Sequence, residues 1–196
     1  NIPVNKDYND GDQEGLCRTQ TSIRDGQRES VAATYLKAAS GRDNLRIETR
    51  AHATSLVMEG KRCVGVTYRQ GDRSVTARAN AEVIVSSGAV ATPGLLELSG
   101  IGRPDVLAEH GIDVLHAMPG VGEKLRDHIN ARTAWRLSDP SLSYNSRMKG
   151  IRRAGQLLRY LTTRRGFLAM PSAPLIGFLK TRPELESPDV QLHIVP

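Results

Sequence analysis

Hydrophobic and polar residues repeat with different periods in successive parts of the chain. Residues 1–29 carry little pattern: "KDYNDGDQEG" and "RDGQR" are polar and turn-rich, which predicts extended, irregular chain. Ser30 has the chemistry of a helix cap, "VAATYLKAAS" the texture of the helix, and Gly41 stands at its C-terminal position. "NLRIETR" predicts a strand over 44–50. In "TSLVMEGKRCVGVTYR" two β-rich runs flank Glu59-Gly60-Lys61, a hairpin signal. Val64, Val66 and Tyr68 alternate with Gly65 and Thr67, as in a half-buried strand. "SVTARA", beyond the turn at Gly71-Asp72, completes an antiparallel meander. "AEVIVSS", residues 81–87, is apolar on both parities and β-branched, which predicts a strand buried on both faces.

"SGAVATPGLLELSGIG", residues 87–102, follows that strand with four glycines. The pattern predicts Thr92 as a cap, Pro93 in the first turn, a short helix at "GLLEL", and its end at Ser99-Gly100-Ile101-Gly102. Ligands of open α/β sheets sit beyond the carboxyl ends of strands. Small residues there admit a ligand close to the backbone, and a helix start offers free N–H groups to an anion. The same residues also suit a crowded turn with no ligand. Pro104 and Gly111 bracket a further helix, and "IDVLHAMPGVGEKLRDH" reads as a strand, a Pro-Gly turn and a helix start. From Trp135 the texture changes to loop in "LSDPSLSYNSRMKG" and then to a basic amphipathic helix in "IRRAGQLLRYLTTRRG". "PSAPLIGFLKTR" and "PDVQLHIVP" read as strands. The plan is a parallel sheet with an inserted meander, followed by a second region, with a boundary near 124–135.

Composition narrows this picture. A chain of 196 residues, 39% hydrophobic and 24% charged, belongs to the soluble globular class and can bury a core. No apolar run approaches the roughly 20 residues of a membrane span, and no signal peptide is visible. The chain starts at Asn1 without Met and ends in an apolar run, so it reads as an excerpt of something longer. The net charge of +6 is spread along the whole sequence and aromatics are only 4%, which argues against a nucleic-acid partner. Cys17 and Cys63 show no metal or redox spacing and read as reduced structural thiols of a cytoplasmic protein. His52, His110, His116, His128 and His193 show no metal-ligand spacing, so no metal site is assigned. Arg152-Arg153 and Arg164-Arg165 flank Leu157, Leu158 and Leu161, which makes either a solvated helix face or a patch for the anionic inner face of a membrane.

The run from residue 88 to 102 resembles the second signature of the glucose–methanol–choline (GMC) oxidoreductases. Gly88, Ala89, Thr92, Pro93, Leu95, Leu96, Ser99, Gly100, Ile101 and Gly102 fill its constrained places. "GQRESVAATYL", "NLRIETRAHATSLVMEGKRCVGV", "MPGVGEKLRDH" and "SPDVQLHIVP" are similar to further blocks of the family, and the detail is closest to bacterial choline-dehydrogenase-like alcohol dehydrogenases. The resemblance implies an α/β (α+β overall) fold: part of a Rossmann-like FAD-binding domain with an inserted meander, then part of an antiparallel-sheet substrate domain. It divides the chain into an extended lead-in at 1–27, FAD-binding residues at 28–128 and substrate-binding residues at 129–196.

The implied cofactor is FAD, and the implied reaction is hydride transfer from a primary alcohol, choline-like or aliphatic/aromatic, to flavin, giving an aldehyde. Electrons then pass to a quinone, an artificial acceptor or oxygen; the last would make the enzyme an oxidase. By the same resemblance Ala53 falls where a valine backbone usually pairs with the adenine. Ser87, Gly88 and Ala89 match the small strand-end residues beside the FAD, and Asp127 and His128 the Asp-His pair near the cofactor. Lys124 and Arg126 depart from the usual Asn and Gln. The first glycine fingerprint of the family is absent, and its catalytic histidine is expected beyond Pro196, so no catalytic residue is assigned. A basic binding module without cofactor is the alternative from another class.

Overall fold

The structure, a computed structural model, describes residues 2–196, with Arg147 described by its backbone alone and Asn1 outside the described residues. In chain order the strands and helices are β1 (Gly15–Arg18), β2 (Ile23–Arg24), β3 (Gln27–Arg28), a π-helical turn (Ala32–Leu36) running into α1 (Lys37–Ala39), β4 (His52–Glu59), β5 (Arg62–Gln70), β6 (Arg73–Arg78), α2 (Gly88–Leu98), β7 (Ile101–Gly102), α3 (Pro104–Glu109), β8 (His116–Ala117), α4 (Tyr144–Arg147), α5 (Ile151–Thr163), β9 (Leu175–Leu179) and β10 (Val190–Ile194). The chain forms two compact units, Arg46–Arg132 and the remainder.

The unit at 46–132 is built on the meander. β4, β5 and β6 pair antiparallel in sequence order, with Leu56 opposite Val66 and Val66 opposite Ala77. The hairpins turn at Gly60 and Gly71, both at positive φ. The ladder between β4 and β5 shifts register between Ala53 and Ser55, a bulge in the edge strand. β7 and β8 pair in parallel, Ile101 with His116 and Gly102 with Ala117. The core gathers Leu56, Val64, Leu95, Ile101, Leu107 and Val121 from strand, helix and turn, with one buried polar side chain, Ser99, among them. Each of these aliphatic groups stabilises the unit by about 1.5–3 kcal/mol when fully buried.

The other unit holds an antiparallel sheet in the order β1-β9-β10. Cys17 on β1 and Ile176 on β9 are partners in register and form its buried centre. Burial pushes the Cys17 thiol pKa up, and the charge of Asp7 adds to it. The Tyr160 hydroxyl of α5 donates to the Gly26 carbonyl at 3.0 Å, so α5 rests on its tyrosine side. Its apolar side stays open, with Leu157, Leu158 and Leu161 all exposed.

The α+β class, the meander, α3, α5 and the last two strands agree with the sequence reading. Several expected elements differ. Residues 45–49 and 82–86 lie in no ladder, and Ile47 and Ile84 are exposed. A single extended segment satisfies none of its own backbone groups, and among the described residues no strand edge pairs with either. The strand expected in "IDVLHAM" shrinks to β8. No helix follows the Pro-Gly turn: Lys124 is left-handed at φ 57, which interrupts helical progression. Gly41 is not left-handed, so α1 ends without a glycine cap. The polar lead-in contains β1, because its Leu16 and Cys17 find β9, far along the chain. The stretch after Trp135 read as loop contains a 3-10 turn, Pro140–Leu142, and α4, whose cap is the Ser143 hydroxyl accepting from the Asn145 N–H.

Candidate cofactor site

α2 begins at Gly88, not near Pro93 as the sequence suggested. Thr92 therefore lies inside the helix, and its hydroxyl reaches back to accept the Ser87 N–H at 3.1 Å. Pro93, expected in the first turn, stands in the interior. Its missing N–H leaves the Ala89 carbonyl without a helical donor. The tolerance of this arrangement comes from position: Ser87, Gly88, Ala89 and Val90 are all exposed, so the carbonyl is not sealed from solvent.

Gly88 sits at φ 88, and nothing lies within 4 Å of the position a Cβ would take. Its conformation thus demands glycine while no packing in this unit does. The first turn of α2 carries no acidic side chain. A helix start with open backbone, positive end-charge and no carboxylate fits a phosphate-bearing group. This end of α2 has the polarity that the phosphate of a cofactor needs.

The Gly120-Val121-Gly122 turn comes up beside α2. Ala89, Thr92, Pro93, Glu97, Gly120 and Gly122 are among the residues lining an open depression of about 460 Å³. Arg103 fixes the turn by pairing with Glu123 at 2.8 Å while also gripping Asp105. The guanidinium holds the Asp105 carboxyl below the usual carboxylate range. Asp127 accepts the N–H of His128 at 2.7 Å, and both residues are exposed. Ala53 pairs with Tyr68 on the edge strand β4, half-buried. Of the residues the sequence pointed to, Ala89 shares the depression with the glycine turn, whereas Ala53, Ser87, Gly88, Asp127 and His128 do not line it.

The sequence placed Ser99 in the family signature without showing its partners, and gave Arg103 no role. Ser99 was visible as the end of a helix, with no sign of what its hydroxyl meets. It accepts the Leu56 N–H at 2.8 Å and donates to the Leu95 carbonyl at 2.6 Å. Among the described residues no group of three or more His, Cys, Asp or Glu is placed to hold a metal ion.

The GMC oxidoreductase family profile matches residues 1–130. This chain belongs to the GMC oxidoreductase family. GMC oxidoreductases are FAD flavoproteins. The chain is 40% identical over 197 residues to an oxygen-dependent choline dehydrogenase of Pseudomonas putida, covering 99% of this chain and 35% of that protein. It is 38% identical over 200 residues to an alcohol dehydrogenase [acceptor] of Pseudomonas putida, covering 100% of this chain and 36% of that protein. Among solved structures it is similar to a formate oxidase of Aspergillus oryzae, with TM-score 0.79 and 28% identity, covering 90% of this chain and 31% of that one. The chain thus spans about a third of the length of the curated relatives it matches.

Proposed function

We propose that this chain is part of an FAD-dependent dehydrogenase that removes a hydride from a primary alcohol, choline-like or aliphatic/aromatic, to give an aldehyde. The observation that carries the reading is the open, left-handed Gly88 at the start of α2, inside a stretch that fills the family signature. FAD, when bound, supplies the hydride-accepting chemistry. In this reading Ser87, Gly88 and Ala89 let the cofactor lie against the backbone. Ala53 meets the adenine through its main chain, and Asp127 fixes the backbone before His128 at the cofactor's edge. Residues 28–128 are assigned to cofactor binding and 129–196 to the substrate side. Alcohol oxidation also requires a base for the hydroxyl proton; no residue of this chain is given that role. Family membership favours this enzyme reading over a cofactor-free binding module.

The test uses the full-length gene product. A flavin absorbance band that bleaches anaerobically on adding choline or another primary alcohol supports the proposal. A correctly folded protein without flavin overturns it. The acceptor is a separate question. A relative named as an oxygen-dependent choline dehydrogenase favours oxygen as a second reading, and peroxide formation under air distinguishes it from transfer to a quinone.

Peripheral contact with an anionic bilayer is also proposed. Among the described residues no helix is long and apolar enough to cross a membrane. α5, however, leaves its leucines exposed, and the sequence from Pro140 to Pro183 holds nine Lys and Arg residues and no Asp or Glu.

A further inference from the structure

We infer that Ser99 is a positioning residue for the flavin site, holding strand β4 and helix α2 in one fixed relation; the inference rests on the cofactor reading above. β4 is the outer strand of the meander, so its outward N–H groups have no neighbouring strand. At Leu56 that N–H is buried, and the Ser99 hydroxyl, itself 6% exposed, accepts from it at 2.8 Å. The same hydroxyl donates to the Leu95 carbonyl one turn back, at 2.6 Å. Donor and acceptor are both used, so the side chain has one orientation and links strand to helix at a defined point.

Apolar packing between α2 and β4 holds the two elements together but has no direction along the strand. The hydrogen bond does have one, because it weakens steeply with angle and distance. Two groups assigned to the cofactor lie on the two elements joined here. Ala53 precedes Leu56 on β4, across the register shift between Ala53 and Ser55. Gly88 opens the helix whose end Ser99 caps. Without the hydroxyl, the bulged end of β4 is free to slide against α2. The spacing between the adenine contact and the helix start then ceases to be fixed. Buried strand N–H groups are costly to leave unmet, so the pair resists loss of either partner.

The experiment compares full-length wild type, Ser99→Ala, Ser99→Thr and Leu107→Ala, the last removing a fully buried core side chain of the same unit. FAD is stripped and rebound below the melting temperature of every variant. Flavin fluorescence gives Kd, and visible circular dichroism reports the environment of the bound ring. Ser99→Ala is expected to raise the FAD Kd about tenfold and alter the dichroism. Ser99→Thr, which keeps the hydroxyl, stays within about threefold of wild type. Leu107→Ala melts earlier but binds FAD with unchanged Kd and spectrum. Should Ser99→Ala fail to fold, Ser99→Cys, of the same shape with a weaker hydrogen-bonding group, is expected to raise Kd about threefold. Equal changes in the Ser99 and Leu107 variants, or an unchanged Kd in the Ser99 variant that folds, overturn the inference. A wild-type protein that folds but binds no FAD overturns the cofactor reading itself, and this inference with it.

Discussion

Gly100 and Asp113 approach so closely that a Cβ on Gly100 would lie 2.5 Å from the Asp113 carbonyl oxygen. The Gly100 carbonyl in turn accepts the N–H groups of Leu115 and His116, at 2.8 and 3.1 Å. With φ at 78, the residue is fixed by conformation and by space. Gly100→Ala is expected to destabilise the full-length protein by roughly 1–3 kcal/mol, the range for a strained backbone position. Gly94→Ala, a helix position with nothing within 4 Å, is expected to be neutral or to stabilise by up to about 1 kcal/mol. Denaturant midpoints of the two variants check the contrast, and similar midpoints would refute it.

Gly88 is the converse case: its φ of 88 favours glycine, yet nothing lies within 4 Å of the place a Cβ would take. Gly88→Val should lower the flavin-to-protein ratio of the purified enzyme several-fold while lowering apoprotein solubility much less. Full flavin content in that variant would return the α2 start to an ordinary turn.

The Asp127 carboxylate accepts the His128 N–H at 2.7 Å, which ties it to the backbone there. Asp127→Ala is expected to weaken FAD retention or slow flavin reduction in rapid mixing. Unchanged flavin content together with an unchanged reduction rate would remove the pair from the cofactor site.

Asp189 gives a pH dependence of definite sign. Its carboxylate accepts the Thr181 hydroxyl at 2.6 Å and the Thr181 N–H at 2.8 Å, and these bonds lower its pKa. A pKa lower in the folded than in the unfolded protein stabilises the fold above the unfolded value, about 3.9, and the benefit is lost as pH falls through the folded value. Asp189→Asn should therefore flatten the loss of stability below about pH 4 and leave the slope above pH 6 unchanged. Urea titrations across that range provide the measurement, and an identical acid slope would contradict it.

The open face of α5 predicts salt-sensitive binding of the full-length protein to vesicles containing anionic lipid, and little binding to neutral ones. Leu157→Ser with Leu161→Ser should lower the bound fraction several-fold without changing the flavin content. Equal sedimentation of wild type and the double variant would show that this face does not touch lipid.

What the sequence determined by itself was local. The alternation of Val64, Val66 and Tyr68 and the turn residues Gly60 and Gly71 specify the meander, because hairpins close between neighbours in the chain. Pro104 and Gly111 likewise bracket α3, and apolar spacing specifies α5. The signature from Gly88 to Gly102 was legible as a block of residue types, but not the division of labour within it. Tertiary structure decided that Gly100 is packed and Gly88 open, that Thr92 caps backwards, and that Ser99 reaches Leu56. It also decided that the polar lead-in supplies β1 to a sheet whose other strands lie more than a hundred residues on. The physical reason is range. Backbone preference and hydrophobic period act over a few residues, whereas a hydroxyl's partner, or the edge a strand pairs with, depends on which distant segments share the same space.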